Sequence, residues 1–285
     1  MGTAINYIYT PLTHEFMIHA LLMSLAIAFV CSIFSCFLVL KGWSLMGDAI
    51  SHSVLPGLIL AYILKIPLII GAFGSGFLTI FIIGYVKNNS RLKEDTAMGI
   101  IFTSMFALGL VILGKIESEL DLMHILFGNM LGILKVDLII SLLISSICSI
   151  ILILKKKDFL LYCFDTVFIK SIGFSTKNLH YGLLALLSLS IISSMKAVGI
   201  LLVISFLITP GAIGYLLCKS FNTMLMISII TSVISCLFGT ILSYHLDVAT
   251  APLIVLIMAS LFIIALTFNK VLFKLNPFNN FLNKK

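Results

Sequence analysis

Residues 16–57 read FMIHALLMSLAIAFVCSIFSCFLVLKGWSLMGDAISHSVLPG. The first twenty-five, 16–40, contain no Asp, Glu, Lys or Arg. As a helix rising 1.5 Å per residue that run would be about 37 Å long, enough to cross the ~30 Å hydrocarbon core of a bilayer. Lys41 and Gly42 interrupt it, and a second apolar run starts almost at once, carrying Asp48 and His52. The stretch therefore reads as two spans joined by a tight turn, the second holding polar groups where lipid would not tolerate them unsupported.

The rest of the chain repeats the pattern. Hydrophobic residues make up 61% of 285 positions and charged residues 10%, and mean hydropathy is +1.22. Soluble domains carry about 25% charged residues, so this chain could not cover a surface facing water. Apolar segments fall at about 16–40, 47–64, 68–86, 96–114, 137–154, 179–195, 197–217, 222–244 and 250–270. The expected fold is all-α: a polytopic transmembrane helical bundle of about nine spans, forming one domain over 1–285. The interruption at 195–197 leaves almost no turn, so eight or ten spans stay open. His124 to Leu134 is too short to span and is expected to be re-entrant or interfacial on the outer side.

Net charge is +7, but the basic residues lie between apolar runs rather than on an aromatic-rich basic face, so no nucleic-acid partner is expected. Six cysteines lack C-x-x-C spacing and mostly sit inside apolar runs, where they read as small core residues. Residues 1–15 have no Lys or Arg for a signal peptide, and the first apolar run is too long for one. With the N-terminus outside, fourteen basic residues fall on inner loops and the C-terminus, and four on outer loops. The positive-inside rule thus selects N-out, C-in. The longest inner segment, 155–178 (KKKDFLLYCFDTVFIKSIGFSTKN), is amphipathic and suits either a lipid-surface helix or a docking surface for a cytosolic protein.

Asp48 and His52 are four apart, on one helical face a turn from each other. Carboxylate with imidazole suits a divalent transition metal. Pro56 cannot donate to the carbonyl four residues back, so the His52 oxygen is released beside both side chains. Ser51 and Ser53 could add oxygens or orient the ring. A pair that merely satisfies itself in the bundle is the plainer reading, and the proline one turn on tilts the balance toward function. Glu94 and Asp95 open the fourth span, where acids also complement the helix dipole. Glu117, Glu119, Asp121 and His124, like His245 and Asp247, read as solvated outer loops or a cation-gathering vestibule. Gly71, Gly74 and Gly76, with Ala72 and Ser75, mark a close helix contact. Thr209-Pro210-Gly211 is either a simple kink or a broken helix lining a substrate path.

CFLVLKGWSLMGDAISHSVLPG (36–57), SRLKEDTAMGIIFTSMFALGL (90–110), HILFGNMLGI (124–133) and GILLVISFLITPGA (199–212) together resemble, in order and spacing, the membrane subunits of the metal-importing ABC transporters. The resemblance covers nearly the whole chain, and the wording is most similar to the iron/manganese branch. It implies that Asp48 and His52 lie on the metal-coordinating helix and that Glu94 supplies a third carboxylate. It also implies that Phe164, Asp165, Ser171, Ile172 and Gly173 dock a cytosolic ABC ATPase. Further implied are a second permease chain, identical or homologous, and an extracellular or periplasmic metal-binding protein. The setting would be the lipid of a bacterial cytoplasmic membrane. Mn²⁺, Fe²⁺ or Zn²⁺ would be cargo rather than a resident cofactor. The chain has no G-x-x-x-x-G-K-[ST], so ATP hydrolysis would belong to another polypeptide. The competing readings are an ion-coupled secondary transporter, which should often show repeat symmetry between its halves, and an intramembrane protease, for which H-E-x-x-H is missing.

Overall fold

The computed structural model describes residues 10, 11, 13–43, 45–115, 132 and 135–275. Eleven helices follow one another: α1 (Glu15–Lys41), α2 (Met46–Ile63), α3 (Leu68–Asn89), α4 (Glu94–Leu113), α5 (Lys135–Leu154), α6 (Lys156–Phe164), α7 (Thr166–Ser171), α8 (Thr176–Val198), α9 (Ile200–Leu217), α10 (Phe221–Leu246) and α11 (Thr250–Leu275). Among the described residues, nine helices are long and apolar enough to cross a membrane. These nine match the nine apolar runs. The close boundary is resolved at Gly199, a single residue at φ +80° between α8 and α9. Only a side chain without Cβ reaches that conformation cheaply. The amphipathic 155–178 stretch is two short helices, α6 and α7, rather than one. His124 to Leu134, apart from Gly132, and the Glu117–His124 acids lie outside the described residues.

α1 is the central post. It packs on α9, α10, α5 and α8, with Ile27, Phe34 and Phe37 fully buried. α2, α3 and α4 form a second group, joined to the first through α8 and α9. Within it α2 and α3 touch where Gly57 meets Gly71: a Cβ on either would run into the other's backbone oxygen. The contact read from 71–76 therefore exists, but Gly74 faces open space, and the partner glycine, 57, is on α2.

α5 shows why this arrangement suits lipid. It buries Ser141, Ser145, Cys148 and Ser149 and turns Leu143, Ile147, Ile150 and Leu154 outward. A water-soluble helix sorts its residues the other way. Two of the buried hydroxyls bond to backbone carbonyls, Ser141 to Ser193 O (2.8 Å) across to α8 and Ser149 to Ser145 O (2.7 Å) within its own helix, while Ser145 Oγ is unmatched.

Pro210 lies inside α9 without breaking it. The Gly211 N–H donates to Ser35 Oγ (2.8 Å) on α1, and that hydroxyl donates to Ile208 O (3.2 Å). From α10, Ser228 Oγ donates to Pro210 O (2.8 Å). Two neighbouring helices thus bond backbone groups at Ile208, Pro210 and Gly211, beside the proline, as lipid cannot. Thr-Pro-Gly lies within a continuous helix in the packed interior.

Candidate metal site

Asp48 occupies the first turn of α2 and His52 the next, both half-buried. The start of the helix is pinned by α9, because Leu207 Cδ1 stands 3.0 Å from where a Cβ on Gly47 would be. Farther up, Leu55 and Pro56 pack against Gly109 of α4, again at about Cβ-contact distance. α4 therefore lies close beside the polar face of α2. It contributes Phe102, stacked on the His52 ring at 5.8 Å and 24°, and Phe106, edge-on at 5.0 Å and 71°.

Polar partners are scarce here. His52 Nδ1 and Ser51 Oγ are buried with no hydrogen-bond partner. Leaving such a group unmatched costs about 1–3 kcal/mol, so natural cores rarely keep one without a use. Ser53 Oγ donates to Ile50 O (2.9 Å). Pro56 has no N–H to offer the His52 carbonyl, although α2 remains helical through it. The face thus collects a carboxylate, an imidazole and a released carbonyl, with aromatic rings closing one side.

Glu94 is the first residue of α4, on the helix that supplies those rings. The packing of His52 on Phe102 and Phe106 fixes the register of α4 against α2. The structure therefore brings Asp48 and His52 together and sets Glu94 on the adjoining helix, nearer its end. Among the described residues no group of three His, Cys, Asp or Glu side chains could hold a metal ion. Asp48 and His52 by themselves offer two side-chain donors on one face of α2.

The residues expected to dock a partner sit together at α6–α7. Asp165 caps α7, its Oδ1 accepting from Val167 N (2.8 Å) and Phe168 N (2.9 Å). Ile169 anchors the short helix by full burial, while Phe164 (69% exposed), Val167 (75%), Phe168, Ile172 and Phe174 form an uncovered apolar cluster around it. Val167, Phe168 and Phe174 were not singled out from the sequence, although their spacing around Ile169 was the available signal. Ser171 ends α7, and Gly173 follows at φ +88° with nothing within 4 Å of a notional Cβ. Gly173 is therefore required by its left-handed backbone rather than by lack of room. Cys163, one residue before the cluster, is buried with its Sγ against Phe37 O (3.8 Å), and burial pushes its thiol up to about 12.

The family model described as "ABC 3 transport family" matches residues 13–269. The chain is 52% identical to the manganese transport system membrane protein MntB of Synechocystis sp., covering 92% of this chain and 85% of that protein. It is 50% identical to the chelated iron transport system membrane protein YfeD of Yersinia pestis, covering 95% and 91%. Its fold superposes on PsaBC from Streptococcus pneumoniae, solved in complex with a Fab, with a TM-score of 0.82 at 37% identity over 92% of this chain and 95% of that one.

Proposed function

The chain belongs to the ABC 3 transport family, and we propose that this ABC importer permease moves Mn²⁺ or Fe²⁺ across the cytoplasmic membrane, binding the ion at Asp48 and His52. The observation that carries the reading is the unmatched polar face of α2, where His52 Nδ1 lies buried without a partner beside Asp48. Relatives at 50% identity or more are named for manganese or iron transport, and the ligand types agree with those ions. Carboxylate and carbonyl oxygens suit Mn²⁺, imidazole also suits Fe²⁺, and no thiolate is present to favour Zn²⁺. The Irving–Williams order still gives Zn²⁺ the higher raw affinity, so discrimination rests on coordination number or on delivery. Glu94 and the same face of a second permease chain are the donors that would raise the ligand count above four, toward six-coordinate Mn²⁺ or Fe²⁺.

The remaining machinery follows. The exposed apolar cluster of α6–α7 is where a separate cytosolic ATPase docks, and ATP is hydrolysed there rather than on this chain. A binding protein delivers the ion from the opposite face, with the N-terminus outside and the C-terminus inside. Uptake into vesicles carrying the permease with its ATPase should be ATP-dependent for Mn²⁺ and Fe²⁺ and weaker for Zn²⁺. Equal or preferential Zn²⁺ uptake would overturn the cargo assignment. Orientation is read by a Ser171→Cys probe in a Cys218→Ser background, since Ser171 is exposed and Cys163 is buried. An impermeant thiol reagent should miss the probe in intact cells and reach it after permeabilisation.

A further inference from the structure

A cluster of side chains that neither the metal face nor the docking surface uses lies between the two. Lys41 is the last residue of α1, and Trp43 lies in the turn that leads into α2. Tyr162 is on α6, two residues before the exposed Phe164, and His180 is on α8. Tyr162 Oη pairs with His180 Nδ1 at 2.8 Å. The Trp43 ring stands edge-on to His180 at 5.2 Å and 78°, and against Tyr162 at 6.4 Å and 62°. Lys41 Nζ donates to the Tyr162 carbonyl (3.1 Å) and sits 4.2 Å from the centre of its ring. Trp43 and Tyr162 are both buried, Trp43 at 1% exposure.

The backbone on either side makes this cluster mechanical. Gly42 is in the left-handed region at φ +74° with open space around it, so the turn is held by its neighbours rather than by its own packing. The Trp43 N–H donates to Leu38 O (2.9 Å), and its carbonyl accepts from Met46 N (3.2 Å), the first residue of α2. Asp48 is two residues farther on. A displacement of α6 therefore reaches Tyr162, passes by ring contact and hydrogen bond to Trp43 and His180, and arrives at the base of the metal-bearing helix. His180 on α8 is the fixed side of the joint, since α8 is packed against α5, α3 and α1.

We infer that Trp43, Tyr162 and His180, steadied by Lys41, are positioning residues that couple movement of the docked α6–α7 segment to the tilt of α2, and so link ATP hydrolysis to release of the ion. This rests on the docking and metal-site readings above. The test is the number of Mn²⁺ ions imported per ATP hydrolysed, measured in vesicles containing the whole transporter. Trp43→Leu and Tyr162→Ala should keep ATP hydrolysis within about twofold of wild type while lowering that ratio about tenfold, the size that networks of this kind carry. Tyr162→Phe keeps the ring and loses only the bond to His180, so its ratio should fall between those of wild type and Tyr162→Ala. That graded rescue separates coupling from plain loss of fold. If hydrolysis and uptake fall in proportion, or if Tyr162→Phe and Trp43→Leu both keep the wild-type ratio, the joint is refuted. Phe164→Asp is the control for the underlying reading: it should abolish hydrolysis and uptake together by undocking the ATPase. A neutral Phe164→Asp would refute the docking assignment itself, whatever the joint variants show.

Discussion

Two helices of this bundle contain a proline well inside their length, and the polar matching around them differs. Around Pro210 in α9 the disturbed backbone is matched from outside, by Ser35 on α1 and Ser228 on α10. Around Pro56 in α2 one neighbour offers Ser75 Oγ to Val54 O (3.4 Å) and another offers phenylalanine rings, while Ser51 Oγ and His52 Nδ1 remain unmatched. A proline costs about 3 kcal/mol in an ordinary helix interior, and both sites carry that liability. In α9 side chains of two other helices bond the backbone beside the proline. In α2 two buried side-chain atoms stay unmatched one turn before it, and the proposed cation site rests on that difference.

The largest expected effect tests whether the α2 face is the metal path at all. Asp48→Ala and His52→Ala should each lower Mn²⁺ uptake by about a hundredfold or more, since each removes one ligand of a set already short of donors. The variants should still insert and assemble with the ATPase, as shown by co-purification. Wild-type uptake in Asp48→Ala would place the path elsewhere and erase the contrast between the two helices.

The next effect is on stability and should appear on the α9 side. Ser35→Ala leaves the Gly211 N–H buried without its acceptor, at a cost of about 1–3 kcal/mol, seen as a lower Tm in detergent. Ser51→Ala removes a hydroxyl that has no partner to lose and should shift stability by no more than about 0.5 kcal/mol. Equal destabilisation by the two would mean that Ser51 is satisfied after all. Gly211→Ala should be worse than Ser35→Ala, because its Cβ would meet the Ser35 backbone oxygen at 2.5 Å.

The smallest effect separates the prolines themselves. Pro56→Ala restores an N–H that can close on the His52 carbonyl, and uptake should fall by about three- to tenfold with no loss of stability. Pro210→Ala should change uptake by less than about twofold, because none of the candidate ligands lies on α9. If Pro56→Ala is silent and Pro210→Ala is not, the assignment of the two helices is reversed.

Much of this was legible before any coordinates. A helix in lipid must satisfy its own backbone, so long uncharged runs such as 16–40 could hardly become anything else, and the nine runs became nine helices. Asp48 and His52 were legible because an ionisable pair at i and i+4 inside a span needs a reason. Gly173 holds φ at +88°, a backbone requirement that the sequence alone does not distinguish from a need for room. That Cys163 of the amphipathic 155–178 stretch is buried against Phe37 of α1 was not legible, because that contact joins residues more than a hundred positions apart.

The sequence by itself determined which segments cross the membrane, because burial in hydrocarbon is scored residue by residue along a helix that is complete within its own segment. It also determined where the ionisable groups in those segments lie, since the helical repeat is the same everywhere. Only the tertiary structure decided which serines reach the backbone beside each proline, which glycine pairs Gly71, and that Trp43, Tyr162 and His180 meet. Those are contacts between helices, where packing rather than a hydrophobic drive selects the neighbour in lipid, and local composition carries no record of that choice.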